Sequence, residues 1–193
     1  MKSYTSDFNY ELKDKKIVYQ GKRIIVEERN YWSPSLQKKI YREHVLSADS
    51  VAILAITEDQ KILLVEEPRT PIEQVCIGFP AGLIEEKEEP VVAAKRELEE
   101  ETGYLAGNLK KIREFYPTIG FSNEKTTIFL ATQLQKTKQK LDEMEEIKVH
   151  AIAMDEIKEM LKKNIFKTPS VTIGLMDYFL YHEGKEETKK GEE

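Results

Sequence analysis

The stretch KRELEEETGY, residues 95–104, places four glutamates toward the negative end of the helix that it predicts. Gly103 suits the left-handed conformation that ends a helix, so these glutamates fall in its last turns. The macrodipole disfavours an anion there by roughly 0.3–1 kcal/mol, and Glu97 repels Glu101 because side chains four residues apart are neighbours. Such a local conflict indicates either a solvated surface or a functional site.

Length, charge and cysteine content exclude several classes of protein. The 193 residues suffice for one well-buried domain with an appendage. The net charge of −5 argues against a nucleic-acid partner, because phosphate binding needs a basic surface. A single cysteine, Cys76, and three scattered histidines do not predict a zinc site. No apolar run approaches the length of a membrane span and the polar N-terminus is no signal peptide, so we expect a cytoplasmic protein without a membrane partner.

The N-terminal part of the chain predicts a small antiparallel β piece. Residues 15–20 and 22–28 alternate around Gly21 and predict a hairpin, and residues 37–46 predict a third strand. A piece covering residues 1–48 is too small to be stable alone. We therefore expect it to pack on the rest of the chain or on a second copy.

The remaining chain predicts a larger domain over residues 49–183, followed by a charged, disordered tail over 184–193. Pro90 suits the first turn of the acidic helix, and Val91, Ala94 and Leu98 are spaced to form its buried stripe. The other predicted elements are strands at 50–57, 61–67, 74–79, 111–116, 125–133 and 147–153, and helices at 154–163 and 169–182.

The glutamates belong to a longer pattern that begins at Gly82. Glu88 follows after five residues, and Arg96 opens the run RELEEETGY after seven more. This pattern, G-x5-E-x7-R-E-U-x-E-E-x-G-U with U apolar or aromatic, resembles the Nudix box without a mismatch. The resemblance implies an α/β Nudix fold, in which a mixed β-sheet is sandwiched between α-helices, with a small N-terminal antiparallel β piece. It also implies hydrolysis of a nucleoside diphosphate linked to another group.

The box explains the crowded glutamates. Several ionised carboxylates at contact distance repel by several kcal/mol at an effective dielectric near 20, and a divalent cation removes this cost. Mg²⁺ and Mn²⁺ both prefer carboxylate and phosphate oxygens. The resemblance implies that Glu97, Glu101 and the Ala81 carbonyl ligate the metal and that Glu100 supports or also ligates it. Arg96 can pair with Glu100 at four residues' spacing and orient the cluster.

The sequences on both sides of the box resemble the ADP-ribose pyrophosphatase branch of the family. The resemblance covers CIGFPAG and FYPTIGFSNE and extends from about Arg42 to Tyr181. It implies that ADP-ribose is hydrolysed to AMP and ribose 5-phosphate. Gly78 replaces the branch's usual glutamate and Ile119 its usual loop proline. These departures leave open another nucleotide sugar, linked to GDP or ADP, or a catalytically silent module that binds a nucleotide.

The segment LDEMEEIKVH, residues 141–150, is similar to an acidic segment of the same branch. The resemblance implies that Glu143 is the base that takes a proton from the attacking water and that Glu145 completes the metal site. Which of the two is the base stays open. An ordinary polar turn before a strand is the alternative interpretation.

Five residues are candidates for substrate binding. Arg69 matches an arginine that the branch uses against the diphosphate, and its planar fork suits phosphate. The branch exchanges its N-terminal piece between two subunits, which predicts a homodimer in which Tyr41 stacks on adenine and Arg42 assists, although both could be plain surface residues. Trp32 is a further stacking candidate or a packed corner, and Leu83 completes the set.

Overall fold

The computed structural model describes residues 8–141 and 143–183. The chain divides into two units. The first takes the chain up to Ala48 together with Thr118–Glu124, and the second takes Asp49–Pro117 and the chain from Lys125 onward. The predicted disordered tail at 184–193 lies outside the described residues.

The first unit is built on a three-stranded antiparallel sheet in the order β1-β2-β3. Its strands are β1 (Glu11–Gln20), β2 (Ile25–Ser33) and β3 (Lys38–Leu46). The Gly21 N–H donates to the Ile24 carbonyl at 2.9 Å and closes the predicted hairpin. The segment 118–124 joins this unit through Val45, whose N–H donates to the Phe121 carbonyl at 2.8 Å.

The second unit contains a mixed seven-stranded sheet. Its strands are β4 (Ser50–Ile56), β5 (Lys61–Arg69), β6 (Gln74–Gly78), β7 (Ala81–Leu83), β8 (Tyr104–Phe115), β9 (Thr126–Lys136) and β10 (Lys148–Ala153). The order is β10-β5-β4-β9-β8, with β6 paired to β5 and β7 paired to β4. Only the pair of β4 and β9 is parallel among the described pairs.

Three helices cover the two faces of this sheet: α1 (Pro90–Thr102), α2 (Met154–Lys162) and α3 (Pro169–Tyr181). Consecutive residues of β4 point to opposite faces, so Leu54 packs in the cluster beneath α2 and α3 and Ile53 in the cluster beneath α1. This is the predicted α/β arrangement of a mixed sheet between helices. In the described part of the chain, no helix has the length and apolar character needed to cross a bilayer.

The buried stripe of α1 differs from the predicted one. Val91 is 39% exposed, whereas Ala94 and Leu98 are fully buried as expected. The buried residues of the helix are Ala93, Ala94, Leu98, Glu101 and Thr102, so the stripe begins after the first turn and extends through the last one. The buried stripe therefore includes an acidic side chain, that of Glu101.

Candidate active site

Helix α1 ends where the box predicts. Gly103 has φ of +70°, and its N–H donates to the Glu99 carbonyl at 2.9 Å. A Cβ at Gly103 would lie only 2.8 Å from the Gln139 backbone nitrogen, so both the dihedral angle and the close backbone approach require glycine. This sharp end fixes the last turn of α1, with its glutamates, against the sheet.

Glu101 is the most deeply buried of these glutamates, with only 4% of its surface exposed. Its Oε2 accepts a hydrogen bond from the Ala81 N–H at 3.0 Å. Burial raises the pKa of Glu101 to about 9, against the opposing effect of the Ala81 hydrogen bond, and the charges of Glu97, Glu67 and Glu145 contribute to the increase. These four carboxylates therefore lie close enough to interact, and β7 holds the central one in place.

Glu97 occupies space that the first glycine of the box leaves open. A Cβ at Gly82 would overlap the Glu97 carboxylate, so only glycine allows this side chain to lie against the β7 backbone. Burial raises the pKa of Glu97, while its hydrogen bond to Arg96 opposes this shift. The glycine and the glutamate of the box thus form one structural unit.

Arg96 connects the acidic residues of the box. Its Nε and Nη2 donate to Glu88 at 3.0 Å each, and its Nη1 donates to Glu97 at 2.6 Å and to Glu100 at 3.2 Å. Nη2 also donates to the Leu83 carbonyl at 3.1 Å. The predicted pairing of Arg96 with Glu100 is present in the structure. Glu88 was a box position without an assigned role, and it supplies two of the five contacts.

Glu67 is a carboxylate of the site that the motifs did not identify. It forms an ion pair with Arg69, and its side chain is 20% exposed. Burial raises the pKa of Glu67, Arg69 opposes this shift and the charge of Glu145 adds to it. Glu67 lies two residues before Arg69, which places both side chains on one face of β5. That spacing was the available sequence signal.

The acidic segment before β10 contributes unequally to this cluster. The charge of Glu145 raises the pKa of Glu67, Glu97 and Glu101, which places it near all three. Glu143 is exposed and, within the described part of the chain, takes part in no recorded hydrogen bond or ion pair. The structure therefore brings Glu145 close to the box, whereas Glu143 lies in the exposed stretch two residues before it.

Two grooves border the carboxylate cluster in the second unit. One has a volume of about 430 Å³ and is lined by Glu66, Glu67, Pro68, Val75, Leu141, Glu145, Glu146, Ile147 and Lys148. The other has a volume of about 350 Å³ and is lined by Pro68, Arg69, Thr70, Glu73, Gln74 and Val75. Pro68 and Val75 belong to both, so the grooves adjoin. Glu67, Arg69 and Glu145 therefore all line these adjoining grooves.

The residues of the cluster suit a divalent cation. Among the residues that the structure describes, no three His, Cys, Asp or Glu side chains already converge on one point as metal ligands would. The Glu97 and Glu101 carboxylates are instead held by Arg96 and by the Ala81 N–H. Carboxylate oxygens are nevertheless the donors that Mg²⁺ and Mn²⁺ prefer. A cation would offset both the cost of burying these carboxylates and their mutual repulsion. The Glu97 carboxylate already lies against the backbone of Gly82.

The remaining predicted site residues lie in the first unit. Trp32 and Tyr41 are on the same face of the β2–β3 pair, since Trp32 is opposite Lys39 and Tyr41 is opposite Asn30. Arg42 points to the other face, and its Nη1 donates to the Tyr41 carbonyl at 2.8 Å. The structure thus brings the two aromatic candidates together and separates Arg42 from them. Trp32 is half-buried and Tyr41 is exposed.

Comparison with known proteins identifies the family. The model of the NUDIX domain matches residues 46–171. ADP-ribose pyrophosphatase of Bacillus subtilis is 37% identical over 150 residues, which cover 77% of this chain and 80% of that protein. Methanol dehydrogenase activator of Bacillus methanolicus is 37% identical over 133 residues, covering 67% of this chain and 72% of the relative. Mouse ADP-sugar pyrophosphatase is 32% identical over 130 residues, covering 60% and 58%.

A solved structure supports the fold independently. The crystal structure of an ADP compounds hydrolase superposes with a TM-score of 0.80 at 22% identity, covering 93% of this chain and 98% of that one. The predicted Nudix fold is confirmed, as is the resemblance to the ADP-ribose pyrophosphatase branch. The chain belongs to the Nudix hydrolase family.

Proposed function

We propose that this Nudix protein hydrolyses the diphosphate linkage of a nucleoside diphosphate sugar, with ADP-ribose as its main substrate and AMP and ribose 5-phosphate as products. The observation that carries the proposal is the carboxylate cluster beside two adjoining grooves, in which the charges of Glu67, Glu97 and Glu145 act on the buried Glu101. The named activities of the relatives from Bacillus subtilis and mouse support the choice of an ADP-linked sugar.

The proposed cofactor is Mg²⁺ or Mn²⁺, held by Glu97, Glu101, Glu145 and the Ala81 carbonyl. Such an ion neutralises phosphate charge and lowers the pKa of a bound water. Glu101 has a pKa of about 9, because it is buried, and it is therefore protonated at neutral pH without metal. It must lose this proton to act as a ligand, so metal affinity should increase with pH. Arg96 keeps Glu97 and Glu100 oriented meanwhile.

The chemical step needs a base and a counter-charge. We assign the base to the segment before β10, with Glu143 as first choice and Glu145 as the alternative. Glu143 lies in an exposed stretch, from which it would have to approach the water. Arg69 borders the 350 Å³ groove and supplies a planar donor for the phosphate oxygens as charge develops.

The first unit is proposed to pair two copies of the chain. Strand β1 is exposed along its entire length. Its exposed apolar side chains are Leu12, Ile17, Val18 and Tyr19. Covering them with a second copy would remove this apolar surface from water. Trp32 and Tyr41, on one sheet face, would then serve the partner's adenine, with Arg42 assisting. Light scattering after size exclusion should give twice the chain mass, and a monomer at micromolar concentration would exclude the arrangement.

A substrate screen tests the proposed activity. ADP-ribose, other ADP-sugars and GDP-sugars are each incubated with Mg²⁺ and the enzyme, and phosphatase then releases phosphate from the monophosphate products. We expect ADP-ribose to have the highest kcat/KM. A higher value for a GDP-sugar would transfer the proposal to that substrate. Absence of turnover with every nucleotide sugar, despite nucleotide binding, would identify a silent module instead.

A further inference from the structure

Glu67 and Arg69 form an ion pair at the end of β5, next to the carboxylate cluster. The pairing of β5 with β6 continues through both residues, with Glu67 opposite Cys76 and Arg69 opposite Gln74. Both side chains therefore stand on a backbone that is hydrogen-bonded in a sheet. Rigid strands position a side chain more accurately than loops do.

The two members of the pair differ in exposure. The Glu67 side chain is 20% exposed and the Arg69 side chain is 43% exposed. Glu67 lines the groove of 430 Å³ together with Glu145, and Arg69 lines the adjoining groove of 350 Å³. The pair thus extends from a half-buried carboxylate to a more exposed guanidinium at the surface of a groove.

Each member of the pair affects the other. An arginine presents five N–H groups in a planar fork, so a carboxylate that holds one edge also fixes the direction of the remaining donors. Conversely, a carboxylate beside Glu145 and beside an incoming diphosphate would repel the phosphate unless a cation shields it. Arg69 is placed to provide this shielding for Glu67.

We propose that Glu67 is a positioning residue, which holds the Arg69 guanidinium in the orientation that binds a phosphate of the nucleotide substrate. This inference rests on the proposed function, since it requires a substrate with a diphosphate in these grooves. Without Glu67, the exposed Arg69 side chain would sample several rotamers and would lose entropy on binding phosphate. Glutamine in place of Glu67 would still accept a hydrogen bond from the guanidinium.

A double-mutant cycle tests the proposal. The values of kcat and KM for ADP-ribose are measured for the parent enzyme, Glu67→Ala, Arg69→Ala and the double variant. We expect each single change to raise KM about tenfold, the loss of one charge-assisted hydrogen bond, with kcat changed less than about threefold. The double variant should match Arg69→Ala alone, because Glu67 acts only through Arg69. The KM of Glu67→Gln should stay close to that of the parent enzyme.

A matched control removes a carboxylate ion pair elsewhere. Glu114 pairs with Lys111 at 2.6 Å on β8, away from both grooves, and Glu114→Ala should leave KM unchanged. Circular dichroism and thermal melting verify that each variant is folded. Losses in Glu67→Ala and Arg69→Ala that multiply in the double variant would overturn the positioning role. An unchanged KM in Glu67→Ala would overturn it as well.

Binding without turnover separates this inference from the proposed function. The affinity for ADP is measured by calorimetry in EDTA across the same four proteins. We expect about tenfold weaker binding in Glu67→Ala and no further change between Arg69→Ala and the double variant. If the screen detects turnover of a nucleotide sugar but the losses of ADP affinity add up in the double variant, the positioning role alone is overturned. A cycle with the expected coupling but no turnover of any nucleotide sugar overturns the hydrolase proposal and supports the pair. A parent protein that neither binds ADP nor hydrolyses any nucleotide sugar overturns both.

Discussion

Two acidic segments of this protein resemble one another in sequence and differ in structure. The end of α1 and the residues 143–146 before β10 both consist mainly of glutamates. Among the glutamates of α1, Glu97 and Glu101 lie against β7, and Glu101 is only 4% exposed. Residues 143–146 are all exposed. A run of glutamates therefore does not determine whether its carboxylates are in water or in a protein interior.

The electrostatic consequences follow this difference in burial. Removal from water raises the pKa of Glu97 and Glu101, and their like charges add to the shift of Glu101. Such a cluster is stable without metal mainly in a partly protonated form, and a divalent cation would stabilise its ionised form. In the exposed segment, Glu145 is the residue whose charge acts on the buried carboxylates. Burial, more than net charge, therefore distinguishes the two segments.

The largest expected effect comes from neutralising Glu101, the most deeply buried glutamate of α1. Glu101→Gln should lower kcat/KM about 1000-fold, because it removes a metal ligand worth several kcal/mol in the transition state. Glu99→Gln on the same helix, which loses only an ion pair with Lys140, is the control and should retain activity. Steady-state kinetics with ADP-ribose and Mg²⁺ check the result. Equal activity in Glu101→Gln and the parent would remove the basis for the metal assignment.

The exposed segment is tested by a pair of variants. Glu143→Gln should lower kcat about 100-fold, with the Mg²⁺ concentration for half-activation unchanged, because the residue is assigned as a base. Glu145→Gln should instead raise that Mg²⁺ concentration about tenfold. Titrating Mg²⁺ at saturating substrate measures both quantities. The reverse pattern would exchange the two roles.

Two glycines allow a sharper test of how the buried carboxylates are placed. Gly82→Ala should lower kcat about 10–100-fold, because its Cβ overlaps the Glu97 carboxylate and displaces it. The fold should persist, since the end of a flexible side chain can move. Gly78→Ala is the control, because its Cβ would meet Thr168 and Val171 at 3.6 and 3.8 Å, which are ordinary contacts. A similar loss in both variants would contradict this account.

The smallest expected effect is a dependence of metal-free stability on pH. The pKa of Glu101 is about 9 in the folded chain and 4.5 ordinarily, because the side chain is buried. Between these values the unfolded chain binds fewer protons than the folded one, so the free energy of unfolding should decrease as pH rises. Urea midpoints in EDTA at several pH values measure this slope. Glu101→Gln should have a flatter slope, whereas Glu146→Gln should keep that of the parent.

The box and the hydrophobic patterns predicted most of the second unit. Pro90 and Gly103 bound α1 as expected, because their backbone preferences are local. The family pattern also carried the spacing of Gly82 and Glu97, which the structure explains as one carboxylate filling the space of a missing Cβ. Local backbone preferences and the family motif agree at these positions, and the structure contains the features that both predict.

Other features depend on contacts distant in sequence and could not be predicted. Val91 has the spacing of the buried stripe, but it lies in the first turn of α1, which the fold leaves partly exposed. Glu67 belongs to no motif, and its role follows from burial and from Arg69. The segment 118–124 joins β3 by backbone hydrogen bonds across more than seventy residues, a pairing that no local pattern indicates.

That last pairing has a consequence for dissecting the enzyme. The first unit is discontinuous, because the Ser47 N–H donates to the Asn123 side chain at 3.0 Å and Val45 bonds to Phe121. Deleting the strands before Asp49 would leave the segment 118–124 without its hydrogen-bond partners Val45 and Ser47. A truncated catalytic core should therefore lose order in this segment unless 118–124 is replaced by a short tight turn. The N-terminal strands and the segment 118–124 must be kept or removed together.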